Sequence, residues 1–358
     1  QPSRARAGPS AMRVWRQLAA ACAAEGGPAR HALRVLQYNV LADTLAQGSQ
    51  TGARLVECPG HLREAESAGV HYFVKAAEPC HVFRTAQGNL AWKRRLPMLL
   101  REIEEHAPDV VTLQEVDHFG EFESALQSKG YAGRFFKKLG RRAHDGSAIF
   151  WRVAVLSLLA WQGVRVSQRN IMTGLMVRLQ TRWDARLVVC STHLKAGFSP
   201  EMEAERLPQA QELLRRLGDF AGSDPVVLGA DLNANCRPYL RCTARQCCDP
   251  ADCVEPLVVP WLEEQGFRSA YGGYPSFTTW GGWQDRDVKA VLDYILLRGA
   301  LLPRAFLALP PDSLVAEHPE RLPNAESPSD HLCLVADVAL LPPEDGAAEA
   351  GLDAPGLV

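Results

Sequence analysis

The chain has 358 residues, 47% of them hydrophobic, and a formal net charge of −2. That length allows two domains or one large two-sheet enzyme, and the apolar share can fill a sizeable core. Near-neutral charge excludes a protein that coats long nucleic acids by bulk charge, though not a local basic groove, and no apolar run approaches the roughly 20 residues of a membrane span, so a soluble chain without stable membrane insertion is expected.

The first 24 residues carry Arg4, Arg6, Arg13 and Arg16 and no acid. Residues 12–24 are Ala-rich and could form a short amphipathic helix. Residues 1–31 therefore read as a basic tail, either disordered or targeting. The compartment is then mitochondrial or plastid, and otherwise cytoplasmic. Residues 32–39 alternate Leu33, Val35 and Gln37 and read as a strand. Residues 40–90 lack sustained periodicity and read as a long loop insertion, a kind of segment usually functional or disordered. Within it His71-Tyr72-Phe73-Val74 could fold back onto the core or over a substrate.

Trp92, Leu96, Leu99, Leu100 and Ile103 share one helical face, with Pro97 expected to kink the first turns and Ala107-Pro108-Asp109 to end the helix. Residues 110–115 read as a strand and 121–129 as a short helix closed by Gly130. Strands follow at 131–136, 147–151, 153–159, 175–179 and 187–193, and so few intervening helices favour antiparallel pairing. Residues 201–217 read as a helix kinked or restarted at Pro208. A buried strand at 225–228, a helix at 257–265 and late strands at 291–296 and 332–338 complete the pattern.

Ten cysteines are present. Cys190 and Cys333 lie in apolar runs and read as buried, reduced core residues of an intracellular protein. Cys236, Cys242, Cys247, Cys248 and Cys253 crowd a Cys-rich loop at 235–254. Their spacing fits no standard zinc pattern, and an odd number cannot pair completely within the loop. From residue 342 an acidic tail rich in Ala, Gly and Pro is expected to be disordered.

Six polar clusters mostly close apolar runs: Gln37-Tyr38-Asn39, Leu113-Gln114-Glu115, Thr192-His193-Leu194-Lys195, Gly229-Ala230-Asp231-Leu232-Asn233, Leu292-Asp293-Tyr294 and Ser329-Asp330-His331. A polar residue ending a buried strand sits at the rim of its sheet, and six rims can converge. Glu115 in such a place needs a partner or a metal. Asp231 and Asn233, two apart, face one side of an extended chain and could orient water, or form an Asp-Asn turn. His193 and Lys195 share that alternation and could reach one anion. Buried Asp293 needs a partner, and His331 suits it: the carboxylate fixes the imidazole tautomer and raises its pKa. The basic stretch Arg134, Lys137, Lys138, Arg141 and Arg142 could steer a polyanion or simply be solvated.

Gln114-Glu115-Val116-Asp117, the run 90–95 with Trp92, and Pro328-Ser329-Asp330-His331-Leu332 carry a joint pattern. So do Thr192-His193-Leu194-Lys195-Ala196, Phe277-Thr278-Thr279-Trp280 and Arg321-Leu322-Pro323. From about residue 34 to 338, insertion and Cys loop excluded, the chain resembles the endonuclease/exonuclease/phosphatase superfamily, and within it the nocturnin and carbon-catabolite-repressor-type deadenylase branch.

The resemblance implies a DNase I-like fold: a two-sheet, mostly antiparallel α/β sandwich with helices on the outer faces, spanning 32–341. It implies that Glu115 ligates Mg²⁺, for which Mn²⁺ could substitute, with Asn39 and Asp330 in or near the metal shell. Asp231 and Asn233 would orient and activate the attacking water. Asp293 would support His331 at the scissile phosphate, His193 would stabilise developing charge, and Lys195 and Lys137 would hold substrate phosphate. The implied activity is removal of the 2′-phosphate of NADP(H) by in-line water attack. The alternatives are a 3′-exoribonuclease acting on the RNA 3′ end of poly(A), and an inactive scaffold. A monomer is expected. The chain departs from the family's Gly-Asp-Phe-Asn-Ala block at Ala230 and Leu232. Gly197-Phe198 stands where the nocturnin branch has an Arg shortly after its Lys.

Overall fold

Val110-Val111-Thr112-Leu113 has no exposed polar face because both of its faces are covered. Val110 packs between two sheets, while Val111 and Leu113 pack beneath helices. The same double coverage holds through the centre of the fold. The computed structural model describes residues 14–18, 31–46, 72–75, 82–141, 143–243, 253–284 and 286–341.

The first sheet has seven strands in the spatial order β1 (Trp15–Gln17), β17 (Leu301–Leu307), β18 (Leu334–Leu340), β2 (Ala32–Asn39), β4 (Val110–Val116), β6 (Gly146–Arg152) and β5 (Tyr131–Lys137). The second has six, ordered β13 (Arg268–Ser269), β16 (Asp293–Arg298), β10 (Val226–Asp231), β9 (Arg186–His193), β8 (Thr173–Thr181) and β7 (Leu156–Arg165). Within these two sheets only β2–β4 and β9–β10 pair in parallel. The sheets face each other across a core that includes Leu33, Val35, Val110, Val189, Val227 and Ile295. Helices Trp92–His106 and Phe119–Gln127 cover the outer face of the first sheet. Helices Pro200–Ala221 and Val258–Glu264 cover the second. This is the expected sandwich.

A third, five-stranded sheet was not anticipated. Its order is β12 (Cys253–Val254), β11 (Tyr239–Thr243), β3 (Tyr72–Lys75), β15 (Arg286–Ala290) and β14 (Thr279–Trp283). It corrects two expectations. Residues 40–90 are not one loop, since Tyr72–Lys75 is a strand and Asp43–Ala46 and Gln87–Leu90 are helical turns. The Cys-rich segment 235–254 contributes β11 and β12 at its ends. β3 pairs only with strands far along the chain, so local periodicity carried no sign of it. Cys247 and Cys248 lie outside the described residues, while Cys236 and Cys253 are free thiols.

The N-terminal expectation changes at one place: Trp15–Gln17 is an antiparallel edge strand on β17, not part of a helix. The rest of 1–31, apart from 14–18 and 31, and the 342–358 tail lie outside the described residues. The helix Trp92–His106 runs unbroken through Pro97 and ends where Ala107 turns left-handed at φ 44. The helix Pro200–Ala221 likewise continues through Pro208, opening on Ser199, whose Oγ accepts the Met202 N–H. Cys190 and Cys333 are buried as expected. Among the described residues no helix is long and apolar enough to cross a membrane.

Candidate active site

One strand register assembles half of the site. In the second sheet Asp231 of β10 lies opposite His193 of β9 on one side and Asp293 of β16 on the other. Neighbours in register point to the same face. That face also carries Val227, which packs toward the first sheet. The first sheet answers with Gln37 and Asn39 of β2 and Gln114 of β4. The space between the sheets therefore grades from apolar to polar along its length.

At the polar end a network of hydrogen bonds ties the two sheets together, leaving Gln37 Oε1 as a buried atom outside it. Gln37 Nε2 donates to Gln114 Oε1 at 2.7 Å and to Asp293 Oδ1 at 2.9 Å. Gln114 Nε2 donates to Ser191 Oγ and the Gly229 carbonyl. Gly229 is required here: a Cβ on it would stand 2.1 Å from Thr112 Oγ1 of the opposite sheet. Asn39 Nδ2 donates to Asp231 Oδ2 at 2.8 Å, while the Leu41 N–H occupies Asn39 Oδ1. The Asn233 N–H donates to Asp231 Oδ1 at 2.8 Å. Asn39, expected in or near the metal shell, thus holds Asp231 directly.

Their surroundings push the two imidazoles in opposite directions. His331 Nδ1 lies 2.7 Å from Asp293 Oδ2, and its Nε2 lies 3.9 Å from Asp231 Oδ2. Burial alone would lower its pKa, but Asp293, Asp330 and Asp231 outweigh burial and lift it well above the usual histidine value. His193 goes the other way. Burial first, then Lys138, His331 and Lys195, push it well below the usual value. Its Nε2 lies 2.7 Å from Asn233 Nδ2 and its Nδ1 3.3 Å from Lys138 Nζ. A neutral imidazole accepts at only one nitrogen, so these two donors compete for it.

Burial likewise raises three carboxylates. Asp231 is pushed up to about 7, with Asp293 adding to burial and His331 opposing it. Burial raises Glu115 against the pull of Lys138, and it raises Asp330 against His331. Glu115 sits at a bulge near the end of β4 with φ 58, and its Oε2 accepts the Ala42 N–H. Leu41 and Asn233 also hold positive φ, at 54 and 49. Such strained backbone clusters where a site over-determines it.

Glu115, Asp231, Asn233, His193, Asp330 and His331 line one pocket of about 160 Å³, with Phe198 and Trp283 on its walls. Glu115 and Asp330 bring two oxygen-donor carboxylates to this pocket. Each is raised by burial and repels the other, an arrangement a hard divalent cation relieves. Asp231, Asp293 and His331 also offer ligand atoms within 4.8 Å of one another. The Asp231 and Asp293 oxygens and His331 Nδ1, however, are already engaged in the hydrogen bonds above. We read that trio as acid–base machinery and the Glu115–Asp330 pair as the cation-binding end.

Two basic residues were placed differently from expectation. Lys137, the last residue of β5, pairs with Gly146 and is exposed. It lies outside the pocket. Lys138, one residue past the strand, is buried, 2.5 Å from Asp145 and beside His193. It was legible only as one of five cations in a basic stretch. Lys195 is half-buried near His193, its N–H donating to Gln209 Oε1. Ala230 and Leu232, the departures from the family block, pack into the outer core of the second sheet and leave Asp231 and Asn233 facing the site.

Comparison with known proteins agrees with this geometry. The model of the Endonuclease/Exonuclease/phosphatase family matches residues 36–331. Nocturnin of Drosophila melanogaster is 28% identical over 344 residues, covering 89% of this chain and 48% of that protein. Nocturnin of Homo sapiens is 27% identical over 337 residues, covering 88% of this chain and 67% of that protein. The chain thus spans about half the length of the Drosophila relative. Among solved structures, the human Nocturnin catalytic domain with bound sulfate anion aligns with TM-score 0.62 at 23% identity, covering 94% of this chain and 100% of that one. ANGEL2, a 2′,3′-cyclic phosphatase, in complex with adenosine-2′,3′-vanadate, aligns with TM-score 0.64 at 21% identity, covering 92% and 98%. These two likenesses show a common fold.

Proposed function

The chain belongs to the endonuclease/exonuclease/phosphatase family, and from that membership we propose that it is a divalent-metal-dependent phosphohydrolase that removes the 2′-phosphate of NADP(H). The observation that carries this reading is one buried carboxylate, Asp231, whose Oδ2 lies 3.6 Å from His193 Nε2 and 3.9 Å from His331 Nε2. A pKa of about 7 suits a group that takes a proton from water near neutral pH. Asn39 and the Asn233 N–H fix both of its oxygens, so its orientation is set before substrate arrives.

His331, held at Nδ1 by Asp293, turns Nε2–H toward the pocket and donates to a phosphate oxygen. His193 lines the pocket where negative charge grows during in-line attack, with the Lys138 ammonium 3.3 Å from its Nδ1. Glu115 and Asp330 would hold Mg²⁺ or Mn²⁺, which supplies charge neutralisation on the phosphate when bound. A pocket of about 160 Å³ admits a protruding phosphate group while the rest of a dinucleotide lies outside. A 2′-phosphate protrudes from its ribose and an internucleotide phosphate does not, which favours the monoester.

The test is phosphate release from NADPH and, in parallel, shortening of an oligo(A), with Mg²⁺ or EDTA and with Glu115→Ala as the blank. Mg²⁺-dependent release without RNA shortening, lost in the variant, supports the reading. RNA shortening with NADPH untouched replaces it with a 3′-exoribonuclease, and activity in neither arm rejects both substrates.

A further inference from the structure

Arg95 lies at the start of the helix Trp92–His106, and its side chain is fully buried. Its Nη1 donates to the carbonyls of Val40 at 3.0 Å, Leu41 at 2.9 Å and Pro328 at 3.2 Å, and its Nε donates to Leu90 at 3.1 Å. No atom of Arg95 is among the pocket-lining groups. The carbonyls it binds flank the groups that are. Val40 and Leu41 follow Asn39 and precede Ala42, whose N–H holds Glu115. Pro328 precedes Ser329, Asp330 and His331. Ser329 Oγ donates to the Asn39 carbonyl at 2.7 Å and accepts the His331 N–H, joining the same two segments a second time.

Leu41, in this clamp, holds a positive φ of 54, a conformation that bulky residues avoid unless neighbours enforce it. Releasing its carbonyl from Arg95 frees the turn that aims the Ala42 N–H at Glu115. A guanidinium can serve several converging carbonyls from one planar fork, whereas an ammonium is a point donor.

We propose that Arg95 is a positioning residue of the active centre: by clamping residues 40–41 to residue 328 it sets the spacing between Glu115 and Asp330, and so the affinity for a divalent cation. This rests on the reading that those two carboxylates hold the cation.

The experiment measures Mn²⁺ binding to the full chain by electron paramagnetic resonance, without substrate, alongside urea unfolding. Glu115→Gln tests the underlying reading. If Mn²⁺ affinity is unchanged in that variant, the cation site itself is misplaced and the proposal falls with it. If Glu115→Gln weakens binding, Arg95→Lys decides the proposal. The expected result is a folded variant that binds Mn²⁺ about 10-fold more weakly, as residues supporting metal ligands typically cause. An unchanged Mn²⁺ affinity in folded Arg95→Lys overturns it. Should Arg95→Lys fail to unfold cooperatively, Ser329→Ala cuts the parallel tie between the same segments. A weaker Mn²⁺ affinity there supports the clamp, and an unchanged one overturns it.

Discussion

His331 Nδ1 and Asp293 Oδ2 are 2.7 Å apart, and both residues are buried. Asp293 is the first of the charges that hold His331 protonated against burial. Asp293→Asn removes that charge while keeping the shape, so the His331 pKa falls. We expect kcat/KM to drop by about 100-fold or more, and the alkaline limb of its pH profile to move to lower pH. A profile whose alkaline limb stays in place would remove His331 from its role as the protonated donor.

The raised carboxylates carry a sign for stability. Asp231 titrates at about 7 in the folded chain against an ordinary 3.8, and Glu115 and Asp330 are raised too. Across that interval these three carboxylates bind more protons in the folded state, so their contribution to the stability of metal-free protein falls as pH rises from about 4 through about 7, while the lowered His193 contributes with the opposite sign. Mg²⁺ should restore most at the upper end. Asp231→Asn should flatten the fall. Urea midpoints in EDTA and in Mg²⁺ across this range test it, and stability that climbs with pH in EDTA contradicts the assignment.

Lys138 and Lys137 are neighbours with opposite surroundings. Lys138→Ala should lower kcat/KM by about 100-fold, because it strips a cation from beside His193 and Glu115. Lys137→Ala should leave activity essentially unchanged. Equal losses in the two variants, measured under conditions where both are folded, would show that the exposed lysine reaches substrate after all.

Arg206 and Glu203 form a fully buried ion pair, 2.6 Å apart, at the start of the long helix. Arg206 Nη1 also holds the carbonyls of Lys195 and Gly197, and Glu203 Oε1 accepts the N–H groups of Leu257 and Val258. Arg206→Met leaves Glu203 as an uncompensated buried charge, and we expect a cost of about 3–5 kcal/mol in urea unfolding. A loss below about 1 kcal/mol would mean that the pair is relieved by water.

The candidate site was largely legible because it follows from a simple rule: a buried strand ending on a polar residue puts that residue at a rim. His193 and Asp231, the last residues of β9 and β10, obey it, while Asn233 reaches the site through a turn beyond the strand, with φ 49 and its N–H on Asp231 Oδ1; the pairing of Asp293 with His331 followed from the need to neutralise a buried carboxylate. The rule fails where local pattern carries no information. Glu115 does reach the expected rim, but the bulge that turns it there is not foretold by strand alternation. Lys138 turns inward one residue after alternation stops. β3 finds its partners more than 150 residues away, and no turn signal announces such pairing. Arg95 entered only as the last residue of the run 90–95 that carries the family resemblance, since nothing local distinguishes a clamp from a solvated side chain.

β18 is the last described strand, yet it lies between β17 and β2 inside the first sheet. His331, three residues before it, is therefore made after every other residue of the candidate site. A nascent chain that stops short of β10 already holds Asn39, Glu115 and His193 but lacks Asp231, Asp293 and His331. Such a chain can collapse around part of its first sheet and still be unable to touch a phosphate ester. The proposed centre is therefore complete only once residue 331 has been made, and products that stop short of β10 lack half of its polar groups.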